Sequence, residues 1–132
     1  MQQLEAMLQT HPDRTQFTSE ALAKCIAACL GCAATCRLCA DACLGEKKLD
    51  MLVACIRTNL GCAELCAATA GLLSYPAAHG QSAKTLLEAC RAICRQCASE
   101  CEKHAPMHEH CRVCAEACRE CERACERLIE GR

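Results

Sequence analysis

Eighteen cysteines are spaced along this 132-residue chain, mostly in steps of three and four. The first run is Cys25, Cys29, Cys32, Cys36, Cys39 and Cys43, and the second is Cys55, Cys62 and Cys66. Cys90, Cys94, Cys97 and Cys101 form the third; Cys111, Cys114, Cys118, Cys121 and Cys125 form the fourth. A helix advances ~100° per residue, so each run confines its sulfurs to an arc of roughly 80° or less. Side chains four apart have Cβ atoms ~6 Å apart, whereas a disulfide needs ~3.8 Å. Two such sulfurs can instead close to the ~4.4 Å of a linear S–metal–S unit with bonds near 2.2 Å. Cu(I) is the common biological ion that accepts low coordination by thiolates alone.

The chain holds eight C-x-x-x-C pairs, and C-x-x-C steps such as Cys29/Cys32 and Cys118/Cys121 interleave with them, so that sulfurs can bridge successive ions. A bis-thiolate Cu(I) unit still carries one negative charge, and buried charge without compensation is costly. Eighteen thiolates approach neutrality with about one monovalent ion per sulfur. Without metal, neutral thiols behave as small hydrophobes, so the apo chain can stay folded. Uptake releases protons, and affinity weakens at low pH.

Other chemistries fit the spacing less well. Structural zinc sites bring C-x-x-C knuckles together on turns, while these steps run uninterrupted; tetrahedral zinc clusters across facing helices remain an alternative. The ferredoxin run is absent, and no proline follows the last thiol. A disulfide scaffold fits the cysteine content but not the helical pattern. A thiol oxidoreductase would need one distinct reactive pair, and a chaperone would expose one or two ligands rather than line a core.

Four elements must carry the four stripes. A first long helix runs from about Thr18 or Ser19, either able to cap it, to Gly45; a second runs from about Glu46 to Leu73. The segment 77–81 is a loop, with Ser82 as cap of a third helix ending near His104. Pro106 suits the first turn of a fourth helix reaching about Ile129. Short connections make consecutive helices antiparallel neighbours. The expected fold is all-α, an antiparallel up-down-up-down four-helix bundle in one domain over residues 1–132. A short N-terminal helix with Leu4, Met7 and Leu8 on one side packs outside it. The repeat C-R-x-C-A-x-x-C puts Arg37, Arg95 and Arg112 on the wetter flank, and Arg119 belongs with them.

Net charge is −1, which advertises neither a nucleic-acid nor an acidic-membrane surface. The N-terminus lacks a basic n-region and a continuous apolar h-region, and no stretch is expected to reach the apolar length of a membrane span. A cytoplasmic protein in a reducing compartment is expected, where dense cysteine points to metal.

Chain direction distinguishes the two ends. Antiparallel order gathers Cys43, Cys55, Cys101 and Cys111 at one end. Extending the stripes there reaches Met51, His104, Met107 and His108, weaker and more exchangeable copper ligands that suit an entry and exit point. At the other end the extension reaches Leu22, Leu73, Leu86 and Leu128, with Phe17, Leu87 and Ile129 near them. His110 falls off the stripe, and His11 and His79 lie outside it. Asn59 stands four after Cys55, where the pattern predicts a thiol; it suits a weak oxygen ligand or a water bridge.

From Cys25 to Cys125 the C-x-x-x-C and C-x-x-C steps resemble those of the bacterial cytosolic copper storage proteins, the signal-free branch of a Cys-rich four-helix-bundle family. The resemblance implies multiple Cu(I) ions held by thiolates inside each bundle, a non-catalytic storage role and a homotetramer. Copper ions and small-molecule or protein donors and acceptors would be its partners.

Overall fold

The computed structural model describes residues 1–131, in which every regular element is helical. Helix α1 spans Gln2–Gln9 and α2 spans Ser19–Leu44. A single 3-10 turn, Leu49–Leu52, precedes α3 at Val53–Leu73; α4 spans Gly80–His104 and α5 spans Glu109–Ile129. Around the bundle α2 packs on α3, α3 on α4, α4 on α5 and α5 back on α2, with α1 leaning on α2. Consecutive helices are therefore neighbours and the ring closes.

Thr18 is the cap of α2: its backbone is extended and its hydroxyl accepts a hydrogen bond from the Ala21 N–H at 3.2 Å. The helix ends at Gly45, Leu73, His104 and Ile129 agree with the sequence reading, whereas the starts of α3, α4 and α5 differ. Residues 46–48 are not helical, and the chain re-enters through the 3-10 turn. Tertiary contacts explain this, because the Glu46 carboxylate is held by two histidines from the far side of the mouth. Ser82 is not the cap of α4, which begins two residues earlier behind His79 without a side-chain cap. Pro106 sits in the turn before α5 rather than in its first turn; His108, with extended backbone, precedes the helix. A residue without an N–H is tolerated there, because the turn is closed by the Met107 and His108 amides donating to the His104 carbonyl.

All eighteen cysteines are buried free thiols. Buried alanines flank them, including Ala33 on α2, Ala63 on α3, Ala98 on α4 and Ala115 on α5. Pairing one small side chain with another lets the helices approach until sulfur fills the space between them. Large aliphatics close one end: Leu22, Leu73 and Leu87 are fully buried and Leu128 nearly so. Leu86, expected in that plug, is only half-buried, and Leu87 one position on takes the inward place. On α1, Leu4 and Leu8 pack against the core while Met7 is 70% exposed.

Two segments, Ser19–Leu44 and Leu49–Leu73, are long and apolar enough to cross a membrane by length and composition alone, contrary to the sequence expectation. Their apolarity comes largely from cysteine and alanine, and their buried faces are turned into the bundle. The repeat arginines do lie on the outer flanks, where they tie helices together. Arg37 meets Glu64 at 3.6 Å, Arg95 meets Glu122 at 2.7 Å and Arg119 meets Glu102 at 2.9 Å; Arg112 instead pairs within its own helix with Glu109 and Glu116. Exposed pairs of this kind contribute about 0–1 kcal/mol each.

Candidate metal centre

Each stripe of thiols faces the other three, so the sulfurs form one continuous column along the bundle axis. Along a stripe, Cys32 and Cys36 are 3.9 Å apart and Cys62 and Cys66 are 3.8 Å apart. These are shorter than the linear-unit distance the sequence suggests; rotation about χ1 lets the thiols touch. Between helices the approaches are just as close. Cys66 lies 3.6 Å from Cys94, Cys36 lies 3.7 Å from Cys118, Cys121 lies 3.7 Å from Cys29 and Cys55 lies 3.7 Å from Cys101. Sulfurs spanning one three- or four-coordinate thiolate ion at ~2.3 Å stand roughly 3.8–4.0 Å apart, so the column is prearranged for metal.

Among the described residues, at least five sets of four cysteines have all their sulfurs within 4.8 Å of one another. Cys32, Cys36, Cys62 and Cys118 make one set; Cys32 and Cys62 also belong to another with Cys66 and Cys94. Membership is shared among the three central sets through Cys32, Cys36, Cys62 and Cys118, while Cys29, Cys90, Cys121 and Cys125 form a separate set, as do Cys39, Cys43, Cys55 and Cys111. Cys66 and Cys121, 4.0 Å apart, join the first of these separate sets to the centre. Proton affinities interlock in the same way. Hydrogen bonds from Cys118, Cys121 and Cys36 push the Cys32 thiol down, while Cys118 and Cys36 are themselves pushed up. Cys25 falls to about 5 through hydrogen bonds from Cys125 and Cys29, and Cys62 falls to about 6 chiefly through Cys118. Near the mouth, burial raises Cys43 to about 11. A thiolate is stabilised only where its neighbours keep protons to donate, so the empty column cannot ionise throughout. Metal cations remove that restriction.

Asn59 interrupts the α3 stripe. It is fully buried, with its amide oxygen 3.1 Å from Cys97, 3.4 Å from Cys114 and 3.5 Å from Cys101, and its NH2 3.7 Å from Cys55. It therefore takes S–H hydrogen bonds directly.

At the mouth, Met51, His104, Met107 and His108 line one cleft of about 330 Å³ with Glu46. The sequence expectation that these four share an end is met, though Met51 and Met107 are 62% and 75% exposed. His104 Nε2 donates to Glu100 at 3.0 Å. Glu46 Oε2 accepts from His108 Nδ1 at 3.0 Å and from His110 Nε2 at 2.8 Å, and the two rings stack with centroids 5.5 Å apart. His110 Nδ1 then faces Cys39 at 3.5 Å and Cys111 at 3.7 Å. A carboxylate holding one ring nitrogen aims the other as a donor, a usual support for a metal-binding imidazole.

His110 was read as off the stripe, yet it is the histidine brought into contact with the thiols. The available signal was its position four residues before Cys114, the same step that relates the cysteine pairs. His11 is exposed and hydrogen-bonds only locally, and His79 packs on Tyr75.

Burial opposes the charged form of His110, but hydrogen bonds with Cys39 and Glu46 prevail and raise its pKa above 6.5. The hydrogen bond from His110 holds Glu46 below the ordinary carboxylate value of 4.5. The raised imidazole contributes fully below its unfolded value and loses that contribution as pH rises through the folded one. The lowered carboxylate contributes fully above its unfolded value and loses it as pH falls through the folded one. The pair therefore stabilises the mouth most between about pH 4.5 and 6.5. Glu46→Gln is expected to lower the His110 pKa in an NMR titration of the imidazole protons, and to cost more stability at pH 5.5 than at pH 8. An unmoved His110 titration would show that Glu46 does not hold the ring.

The sequence pattern of the copper storage protein family matches residues 18–130. A copper storage protein, Ccsp, from Streptomyces lividans, loaded with 10 copper equivalents, is 46% identical; the match covers 98% of this chain and 99% of that one with a TM-score of 0.93. A cytosolic copper storage protein from Streptomyces lividans with five coppers is 51% identical over 86% of this chain and 95% of that one, with a TM-score of 0.83. The Cu(I)-bound copper storage protein BsCsp3 is 34% identical over 80% of this chain and 94% of that one, with a TM-score of 0.72. Comparison with curated proteins finds no match.

Proposed function

The chain belongs to the copper storage protein family, and on that footing we propose that it is a cytosolic, non-catalytic store holding about one Cu(I) per cysteine. The observation that carries this reading is the single column of eighteen buried thiols, whose central sulfurs are shared between neighbouring quartets. A protein built to bind one ion needs four ligands and gains nothing from fourteen more. Each added Cu(I) replaces a proton and lets one more sulfur exist as thiolate, so loading relieves the mutual inhibition among neighbouring thiols.

Cys25 through Cys125 are the core ligands in this reading. The cleft with His104, His108, Met51 and Met107 is the entrance, and His110 passes ions to Cys39 and Cys111. The cytosolic assignment rests on the relative so described. One domain and assembly as a homotetramer are part of the same proposal. The evenly spread thiols favour storage over redox catalysis, since no single pair is set apart.

The overlapping quartets also suit tetrahedral zinc, so the test uses both metals. The reduced protein is titrated anaerobically with Cu(I) against a competing chelator, and in parallel with Zn²⁺. Saturation near eighteen Cu(I) per chain, with zinc displaced by Cu(I), is the expected result. Saturation at one or two ions would overturn storage in favour of a chaperone or redox protein, and retention of zinc against Cu(I) would overturn the choice of metal.

A further inference from the structure

The entrance cleft carries charge that metal ligation does not use. Lys47 and Lys48 line it beside Met51, His104, Met107 and His108. Both lysines are exposed, and among the described residues neither is paired with a carboxylate, whereas Lys24 is paired with Glu20 and Lys103 with Glu100. The cleft's own carboxylate, Glu46, is committed to His108 and His110. Two free ammonium groups at this approach to a store for cations work against entry of a bare metal ion.

Taking the cleft as the copper entrance, as proposed above, we propose that it receives copper as an anionic complex of a low-molecular-weight thiol, drawn in by Lys47 and Lys48. A soft monovalent ion among cellular thiols travels as a thiolate complex, and two thiolates on one Cu(I) leave a net negative charge. Carboxylates on the carrier add to it. A cleft of about 330 Å³ lies at the small end of ligand pockets, with room for a peptide-sized thiol rather than a protein domain. Transfer is ligand exchange without electron transfer. Each Cu–S bond to the carrier breaks as a Cu–S bond to a cysteine forms, and each released carrier thiolate takes the proton that the cysteine gives up. One Cu(I) bis-thiolate and two cysteine thiols thus become one protein-bound Cu(I) and two free carrier thiols.

Stopped-flow loading of the reduced full-length protein tests this, with Cu(I)–glutathione as the anionic donor and Cu(I) in acetonitrile as the cationic one. For Lys47→Glu/Lys48→Glu, loading from the glutathione complex is expected to slow at least about tenfold, with loading from the cation unchanged or faster. Lys47→Gln/Lys48→Gln should fall between the two proteins. The glutathione rate of the parent protein should decrease with ionic strength, and that dependence should flatten in the variants. Equal effects on both donors, or a glutathione rate indifferent to salt and to both substitutions, overturns the inference. Slower transfer from an acidic protein donor with the glutathione rate unchanged also overturns it, in favour of a protein carrier. Final capacity separates this outcome from failure of the storage reading: saturation near eighteen with charge-blind rates removes only the carrier.

Discussion

Filling the column with Cu(I) is expected to raise the thermal midpoint of the bundle by more than about 15 °C, because ions that bridge sulfurs of separate helices bind only the folded bundle. A ligand held at about a thousand times its Kd stabilises by ~4 kcal/mol per site, and 1 kcal/mol is worth roughly 3–6 °C in a domain of this size. One well-occupied bridge is thus worth roughly 12–24 °C and a few exceed the stated shift, and sulfurs from all four helices are within bridging distance: Cys29 of α2 to Cys121 of α5, and Cys66 of α3 to Cys94 of α4. Calorimetry of the reduced empty protein and the loaded protein under anaerobic conditions checks it. A shift of only a few degrees would place the metal outside the core.

Leu87→Ala is expected to cost the empty protein about 2–5 kcal/mol, the usual range for an aliphatic side chain removed from a core that cannot collapse. Leu87 is fully buried at the closed end, with Leu22 and Leu73 equally buried there. Most of the remaining interior is thiols and alanines, with Ile26, Leu52 and Leu128 the other buried large aliphatics, so these few side chains supply an unusual share of the apolar volume. Urea denaturation of the reduced apo protein measures the cost, and the loaded variant should recover most of it because ions brace the helices above. A loss below about 1 kcal/mol would mean that the leucine end relaxes to fill the space.

The cysteine stripes made most of this structure legible in the sequence, because a period of three and four is itself a statement of helix and of facing side. Which end is closed followed from the same walk along each stripe. The reading failed where contacts between distant segments decide the outcome. Nothing local in Glu46-Lys47-Lys48 forbids a helix; it is the reach of Glu46 to His108 and His110, more than sixty residues away, that fits the observed break. His110 falls off the stripe extended from Cys111 but lies on the one extended from Cys114, and both obey the helical step. Leu86 and Leu87 sit four and three before Cys90, so spacing alone could not choose between them, and the structure buries the second.

With the cleft as the proposed entrance, a column closed by leucines at its far end is a dead end. On that reading the ions nearest the cleft leave before those behind them, and an ion deep in the column must hop from sulfur to sulfur before it can depart. The last copper admitted is thus the first available, and each withdrawal leaves the remainder farther from the exit. A nearly full molecule answers a small demand quickly, whereas a nearly empty one yields its residue slowly. The same geometry makes the response depend on filling history as well as on affinity, giving the cell a fast surplus and a slow reserve in one chain.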